Sequence, residues 1–241
     1  VLPLMEAMRT GGVEFVLTAH EGSAGFAADV TARMTGKPGL CIATLGPGAT
    51  NLATGVGNAF LDRSPLIAIT CTLNEAQLGR RIQMWIDHHA LFKPITKATL
   101  RLRRGEIAAT LAEALRIATS EPQGPVHLDL PEDVALAPAT EAVPPLPAPV
   151  ALSPAPDAAM AQAAVVLGAA KRPVAVIGAS AMRMKCPEAL LAFVERHGMP
   201  FASTTMAKGL IDEDHPLALG CIERAKRQTQ RAFLRGADLI V

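Results

Sequence analysis

Short continuous apolar runs, each trailed by a stretch with helical spacing, recur along this chain, and that alternation restricts the fold more than any other feature. The runs fall at residues 13–17, 39–45, 66–71, 126–130, 174–177 and 201–203, with 237–241 a further strand-like ending. Strands buried on both faces read as unbroken apolar runs, because helices cover both sides of a parallel sheet. The pattern predicts an α/β chain of two doubly wound domains, with mainly parallel sheets flanked by helices. Helical spacing marks residues 2–10, the stretch after Glu21, the set Leu52, Val56, Ala59 and Phe60, and the set Ile107, Leu111, Ala114, Leu115 and Ala118. Further helices start at Asp157 and at Pro187, the latter with Gly198 as its C′ residue.

Seven prolines between Ala137 and Asp157 interrupt this rhythm. Such a segment favours extended polyproline conformation and predicts a semi-rigid connector, which divides the chain into domains at 1–136 and 157–241 with a linker at 137–156. The spacing also fits a PxxP ligand, but a boundary accounts for the composition without a partner.

The chain is 241 residues, 50% hydrophobic and 19% charged, with a net charge of +1. Aromatics are 3%, tyrosine is absent and Trp85 is the single tryptophan, so the basic excess and stacking side chains of nucleic-acid binders are missing. No apolar run approaches the roughly 20 residues of a spanning helix, and the start lacks a signal-peptide pattern. Neither nucleic acid nor membrane is an expected partner, and the expected location is cytoplasmic. Cys41, Cys71, Cys186 and Cys221 are far apart and read as buried free thiols.

Glu21 carries the most unusual setting. It follows the strand-like run at 13–17 and opens a helical pattern, so its carboxylate projects from a strand-to-helix turn. On that helix Ala24, Ala27, Ala28 and Thr31 share one face, with Asp29 and Arg33 opposite. Glu21 projects beside the alanine face, where desolvation raises a carboxylate pKa unless a polar partner meets it. Downstream, Gly46-Pro47-Gly48 closes the run at 39–45 with a rigid turn that lets a ligand approach the backbone, and Asn51 faces out from the next helix. A helix N-terminal acid and a tight strand-helix turn with a capping residue are the bland readings of these residues.

The residues between Asn74 and Lys97 are the least regular, and fit a long functional loop with short helical turns. Within it Gln83 is a candidate site residue, against the bland reading of a backbone cap. His20 orients the turn beside Glu21. His88 and His89 lack further ligands at metal spacing, so the sequence assigns no metal.

The run HEGSAGFAADVTARMTG through TLGPGATNLATGVGNAFLDRSPLIAIT resembles the pyrimidine-binding domain of thiamine diphosphate enzymes of the acetolactate synthase-like group. PQGPVHLDLPEDV is similar to the strand that closes that domain. KRPVAVIGASA and MPFASTTMAKGLIDEDHPLALG resemble the central domain of the same family, in the same order. The resemblance implies that Glu21 hydrogen-bonds the aminopyrimidine ring of thiamine diphosphate and shares a proton with a ring nitrogen, general acid-base work that suits a raised pKa. It also implies that Gly46, Pro47, Gly48 and Asn51 lie close to that ring, with Gln83 near the active centre.

The family carries an earlier strand and a glycine-containing loop before this chain's first residue, and a third module holding the diphosphate through Mg²⁺. The metal ligands are therefore expected outside these residues, and the chain by itself should be inactive. Family members build the site between two subunits, which implies a homodimer or homotetramer. The implied reaction, of the transferase or lyase class, is cleavage of a carbon-carbon bond beside the carbonyl of a 2-oxo acid or related acyl donor. Carboligation or decarboxylation completes it.

FAD, which some members bind, is doubtful here because CIERAKRQTQRAF stands where flavin-binding members have a Met-His-Gly-like stretch. Arg224, Lys226, Arg227 and Arg231 in it fit a solvated helix face, with phosphate contact as the alternative. VAVIGASA lacks the full G-x-G-x-x-G pattern, so nucleotide binding around Gly178 is a weaker reading, as is a noncatalytic relative.

Overall fold

The computed structural model describes residues 1–146, 153–222 and 227–241. The chain forms two compact units, Val1–Ala151 and Leu152–Val241.

In the first unit the order is α1 (Leu2–Thr10), α2 (Glu21–Thr35), β1 (Gly39–Ala43), α3 (Pro47–Leu61), β2 (Leu66–Thr72), α4 (His88–Phe92), β3 (Ala98–Arg101), α5 (Ile107–Thr119), β4 (Pro125–Pro131) and α6 (Glu132–Ala135). Its four strands are parallel and lie in the order β1-β2-β4-β3. Every residue of β2 and β4 is buried, as an unbroken apolar run requires of a central strand. Alternate residues feed two cores. Leu66 and Ala68 pack with Leu52, Val56 and Phe92 on one face, while Ile67 and Ile69 join Ala114, Val126 and Leu128 on the other.

Helices α2 and α3 meet through glycine. A Cβ built on Gly25 would lie 2.9 Å from the Gly55 Cα, and one on Gly55 would lie 2.6 Å from the Gly25 Cα. The backbones approach where no side chain intervenes, which offsets the roughly 0.5–1 kcal/mol each helical glycine costs relative to alanine. The buried face of α2 is accordingly Gly22, Gly25, Ala28, Asp29 and Ala32. This corrects the expected alanine face: Ala27 and Thr31 are exposed, and Asp29 is fully buried. Asp29 tolerates this because the Asn58 Nδ2 donates to it at 2.8 Å and Arg33 pairs with it at 3.2 Å.

The strand expected at residues 13–17 does not form. Val13, Val16 and Leu17 are 53%, 84% and 81% exposed, and β1 pairs only with β2 among the described strands. A β-strand exists through its neighbour's N–H and C=O groups, and no described strand lies beside this segment. The edge strand β3 went unpredicted because its residues are only half-buried and form no apolar run.

The second unit runs α7 (Asp157–Ala169), β5 (Pro173–Ile177), α8 (Pro187–Arg196), β6 (Phe201–Ser203), β7 (Ala218–Cys221), α9 (Arg227–Gly236) and β8 (Leu239–Ile240). Its parallel strands lie in the order β7-β6-β5-β8, around a core that includes Ala175, Ile177, Val194, Met199 and Phe201. Pro187 opens α8 and Gly198 follows it at φ +54°, the left-handed conformation that suits a C′ glycine. The short, half-buried β7 was not anticipated. Residues 137–146 and 153–156 form no helix or strand, and 147–152, at the middle of the expected linker, lie outside the described residues. Cys41, Cys71 and Cys221 are buried free thiols, and Cys186 departs from expectation by being exposed. No helix among the described residues is long and apolar enough to cross a membrane.

Candidate functional site

Helix α2 starts at Glu21 because His20, extended at φ −146° and ψ 135°, uses its ring Nδ1 to accept the Gly22 N–H at 3.0 Å. That cap leaves the Glu21 carboxylate at the positive end of the helix. The glycine contact between α2 and α3 brings Asn51 within reach, and its Nδ2 donates to Glu21 Oε2 at 3.0 Å. Gly48 completes the enclosure: a Cβ there would sit 3.3 Å from Glu21 Oε1 and 2.7 Å from Thr44 Cγ2. Glu21, Gly48 and Asn51, singled out separately in the sequence, therefore form one group.

The bond from Asn51 chiefly holds the Glu21 carboxyl below the usual range, aided by its own backbone N–H and by His20, with slight desolvation opposing. This is the reverse of the expected upward shift. Glu21 is only partly buried and already has a partner, so desolvation loses to hydrogen bonding within this chain.

The turn before α3 is fixed from below. Gly46 adopts φ +62° and ψ −116°, and a Cβ on it would lie 2.4 Å from the Met84 carbonyl oxygen, so the position requires glycine. Pro47 supplies the first helical residue, where its missing N–H costs nothing. The Gly46 N–H donates to His88 Nε2 at 3.3 Å. Gln83 precedes Met84 on this loop, and its side chain is exposed.

Beneath the turn lies a buried polar cluster that the sequence reading did not find. His88 Nδ1 is 3.1 Å from Asp129 Oδ1 and 2.9 Å from Thr70 Oγ1, and Thr70 Oγ1 is 2.7 Å from His127 Nε2. His89 and Arg101 approach the other Asp129 oxygen at 3.8 and 3.4 Å. Thr70 and Asp129 are register partners on β2 and β4. His127 and Asp129, two apart, share the face that packs toward Phe92, whose ring stacks on His127 at 4.3 Å. Two polar residues at that spacing in an otherwise apolar run, VHLDL, were the available signal.

Burial pushes the His127 imidazole down to about 3, and burial also lowers His89. Burial pulls Asp129 upward, but the hydrogen bond from His88 and the Arg101 guanidinium beside it outweigh it and leave the carboxyl below its usual range. Ligand atoms of His88, His127 and Asp129 lie within 4.8 Å of one another, a grouping that a metal would use. The Thr70 hydroxyl stands among them, 2.9, 2.7 and 3.4 Å from the three, and fills the space an ion would need.

In the second unit, β5 leads through Gly178 into the 3₁₀ segment Ala179–Arg183 in place of a long α-helix, so the helix N-terminus that a nucleotide phosphate would use is absent at that turn. A cleft lined by Gly168, Arg172, Pro173, His197, Pro200 and Phe233 opens at the N-terminal ends of β5 and β6, opposite the carboxyl end where doubly wound sheets bind ligands. Arg231 is exposed, and residues 223–226, with Arg224 and Lys226, lie outside the described residues, as does the Arg227 side chain.

Residues 1–91 match the family described as thiamine pyrophosphate enzyme, N-terminal TPP binding domain, and residues 160–241 match the thiamine pyrophosphate enzyme central domain. A probable acetolactate synthase large subunit from Methanocaldococcus jannaschii is 38% identical over 229 residues, 92% of this chain and 39% of that protein. The acetolactate synthase large subunit of Corynebacterium glutamicum is 37% identical over 246 residues, 100% of this chain and 39% of the relative. Isozyme 1 of the Escherichia coli large subunit is 34% identical over 244 residues, 100% of this chain and 43% of the relative. The chain thus spans about two-fifths of the length of these relatives. The two domain matches fall one in each compact unit and in the family's order, and the chain belongs to the acetolactate synthase-like thiamine pyrophosphate enzymes.

Proposed function

We propose that this chain supplies the pyrimidine-binding and central domains of a thiamine diphosphate- and Mg²⁺-dependent enzyme that cleaves or forms a carbon-carbon bond beside the carbonyl of a 2-oxo acid or related acyl donor. Carboligation is the preferred outcome, since the relatives are described as acetolactate synthases. The observation that carries the reading is the Glu21 carboxylate, gripped by Asn51 at 3.0 Å and backed by Gly48 at the start of a helix. A glycine at 48 leaves room for a flat ring against the carboxylate, and the bond from Asn51 occupies Oε2 and turns Oε1 toward Gly48.

The cofactor, when bound, would supply the thiazolium carbon that adds to the substrate carbonyl. Glu21 would hold and return a proton at Oε1. Asn51 would keep that carboxyl in one rotamer, and the Gly46-Pro47-Gly48 turn would admit the ring to the backbone. The metal ligands are assigned outside these residues. A ring laid on Glu21 would desolvate the carboxyl and lift its pKa from the lowered value it has here, toward the range a proton carrier needs at neutral pH. Partial exposure of Glu21 in the single chain supports a site completed by a second subunit, in a homodimer or homotetramer. A cytoplasmic location belongs to the same proposal.

The test uses the full-length protein with thiamine diphosphate and Mg²⁺, assayed on pyruvate, other 2-oxo acids, sulfoacetaldehyde and acyl-CoA donors. Glu21→Gln keeps size and hydrogen bonding but cannot carry the proton, so turnover should fall by at least about 100-fold. Wild-type turnover in that variant would refute the assignment.

A further inference from the structure

Two protonation patterns fit the geometry of the cluster under the Gly46 turn, and they differ in what they leave unpaired on His127. Gly46 donates its N–H to His88 Nε2, so that nitrogen is an acceptor and the proton of the neutral ring sits on Nδ1. His88 Nδ1 then donates to Asp129 Oδ1 at 3.1 Å, with Thr70 Oγ1 at 2.9 Å sharing the proton. The Thr70 hydroxyl is thereby an acceptor from His88 and is left with its own proton to place. Given to His127 Nε2, it would force the His127 proton onto Nδ1, which is buried and has no partner. Given to Asp129 Oδ1 at 3.4 Å, it lets His127 Nε2–H donate to Thr70 at 2.7 Å and leaves an acceptor as the orphan. A buried acceptor left unpaired is the cheaper of the two. The protons of His88, Thr70 and His127 then run toward the Asp129 carboxylate, and the His88 Nε2 lone pair is aimed at Gly46.

That lone pair serves a specific atom. Gly46 sits at a φ that the turn demands, a Cβ on it would collide with the Met84 backbone, and no side chain caps α3 at this position. The first N–H of the α3 entry would otherwise be a buried donor without a partner. Gly48 and Asn51 follow two and five residues later on the same helix, so the position of Gly46 sets theirs relative to Glu21.

We infer that His88 is a positioning residue: held as the Nδ1–H tautomer by Asp129 and Thr70, it pins the Gly46 amide and so fixes the Gly46-Pro47-Gly48 turn and Asn51 against Glu21. Among the described residues its hydrogen-bond and ring partners are Gly46, Thr70, Asp129 and His127, and Glu21 is not one of them. Its role is to make the floor of the site rigid, and it rests on the proposed function only where cofactor binding is the readout.

The two faces of the imidazole can be separated by amide variants. Gln places its carbonyl oxygen about where His88 Nε2 lies and preserves the acceptor for Gly46, whereas Asn reproduces the Nδ1 side and leaves Gly46 without one. In the full-length protein without cofactor, hydrogen exchange at the Gly46 amide should be slow in wild type and His88→Gln. Exchange should be faster by about tenfold or more in His88→Asn and His88→Leu, the change expected from one lost buried hydrogen bond. Trp85, the single tryptophan, lies on the loop that abuts Gly46, and its emission should shift with the same ordering.

Thiamine diphosphate affinity, measured by calorimetry with Mg²⁺, should follow that order too, with His88→Asn weaker than His88→Gln even where their melting temperatures agree. Exchange that is equally fast in the Gln and Asn variants, or faster in Gln, overturns the positioning role. If wild type itself fails to bind thiamine diphosphate, the proposed function falls while the exchange result still decides the fate of His88.

Discussion

The two units have the same parallel four-stranded sheet flanked by helices, yet they bury different things at its centre. In the first unit, β2 and β4 carry Thr70, His127 and Asp129 into the interior, and α4 adds His88. In the second, β5 and β6 bury Val174, Ala175, Ile177, Phe201 and Ala202, and the buried polar side chains among the described residues are Ser203 and Gln230, neither of them ionisable. Gln230 spends its amide on the carbonyls of Leu219 and Cys221, a structural task. Buried ionisable groups are expensive, and a fold retains them where their order is needed. The contrast sets a buried polar cluster within the first sheet against a second unit with an apolar core.

The contrast extends to the glycines, and here a large effect is expected. In Gly55→Ala the new Cβ would meet the Gly25 Cα at 2.6 Å, so α2 and α3 must separate. We expect a loss of about 2–3 kcal/mol in chemical unfolding, the cost of overpacking where backbone faces backbone. Gly168→Ala on α7 is the partner experiment, because a Cβ there meets nothing within 4 Å. It should stabilise by up to about 1 kcal/mol through helix propensity alone. Two changes of the same sign would break the comparison.

Acid should act on the first unit before the second. His127 is neutral when folded down to about pH 3, whereas its unfolded counterpart takes up a proton as pH falls through the ordinary histidine range. Between those two values the unfolded state holds the extra proton, so stability rises with pH across the window and is lost on acidification. The limiting slope for one such group is about 1.4 kcal/mol per pH unit. His127→Gln retains a group near Thr70 without titrating, and should flatten that slope in unfolding experiments between about pH 6.5 and 5. The residual slope belongs to His89, which burial also lowers. A variant whose stability falls with acid as steeply as wild type would remove His127 from the account.

How far the sequence foretold this arrangement depended on whether a feature is local. β2, β4 and β5 were plain because central strands bury both faces and cannot hide polar residues in quantity. β3 and β7, short and half-buried, carry no such pattern. Glu21 was found from its place at the start of a helical period, but its bond to Asn51 depends on Gly25 meeting Gly55, and a glycine inside a helix reads locally only as a cost. The wheel placed Asp29 outside for the same reason: the inward face was set by the absence of side chains, and apolar counting cannot see that. His127 and Asp129 were hidden by the opposite error, since a strand that is otherwise apolar invites one to pass over its polar members.

The smallest effect should come from the polar contacts of the second unit. Lys208 Nζ pairs with Glu213 at 2.5 Å, and Glu213 also accepts from Ser203 Oγ at 3.4 Å. The lysine side chain is 60% exposed, so solvent screens the pair and ordering the long side chain offsets most of the attraction. Lys208→Met keeps the aliphatic stem and removes the charge, and should change unfolding free energy by no more than about 0.5 kcal/mol at 0.15 M salt. Asp129→Asn, isosteric and in the first unit, gives the contrast: it removes the charge and one of the two acceptor oxygens on which His88, Thr70 and Arg101 converge, and should cost about 3 kcal/mol or more. If the lysine variant proved the more damaging of the two, the second unit would hold a polar keystone of its own and the division of labour drawn between the sheets would have to be reversed.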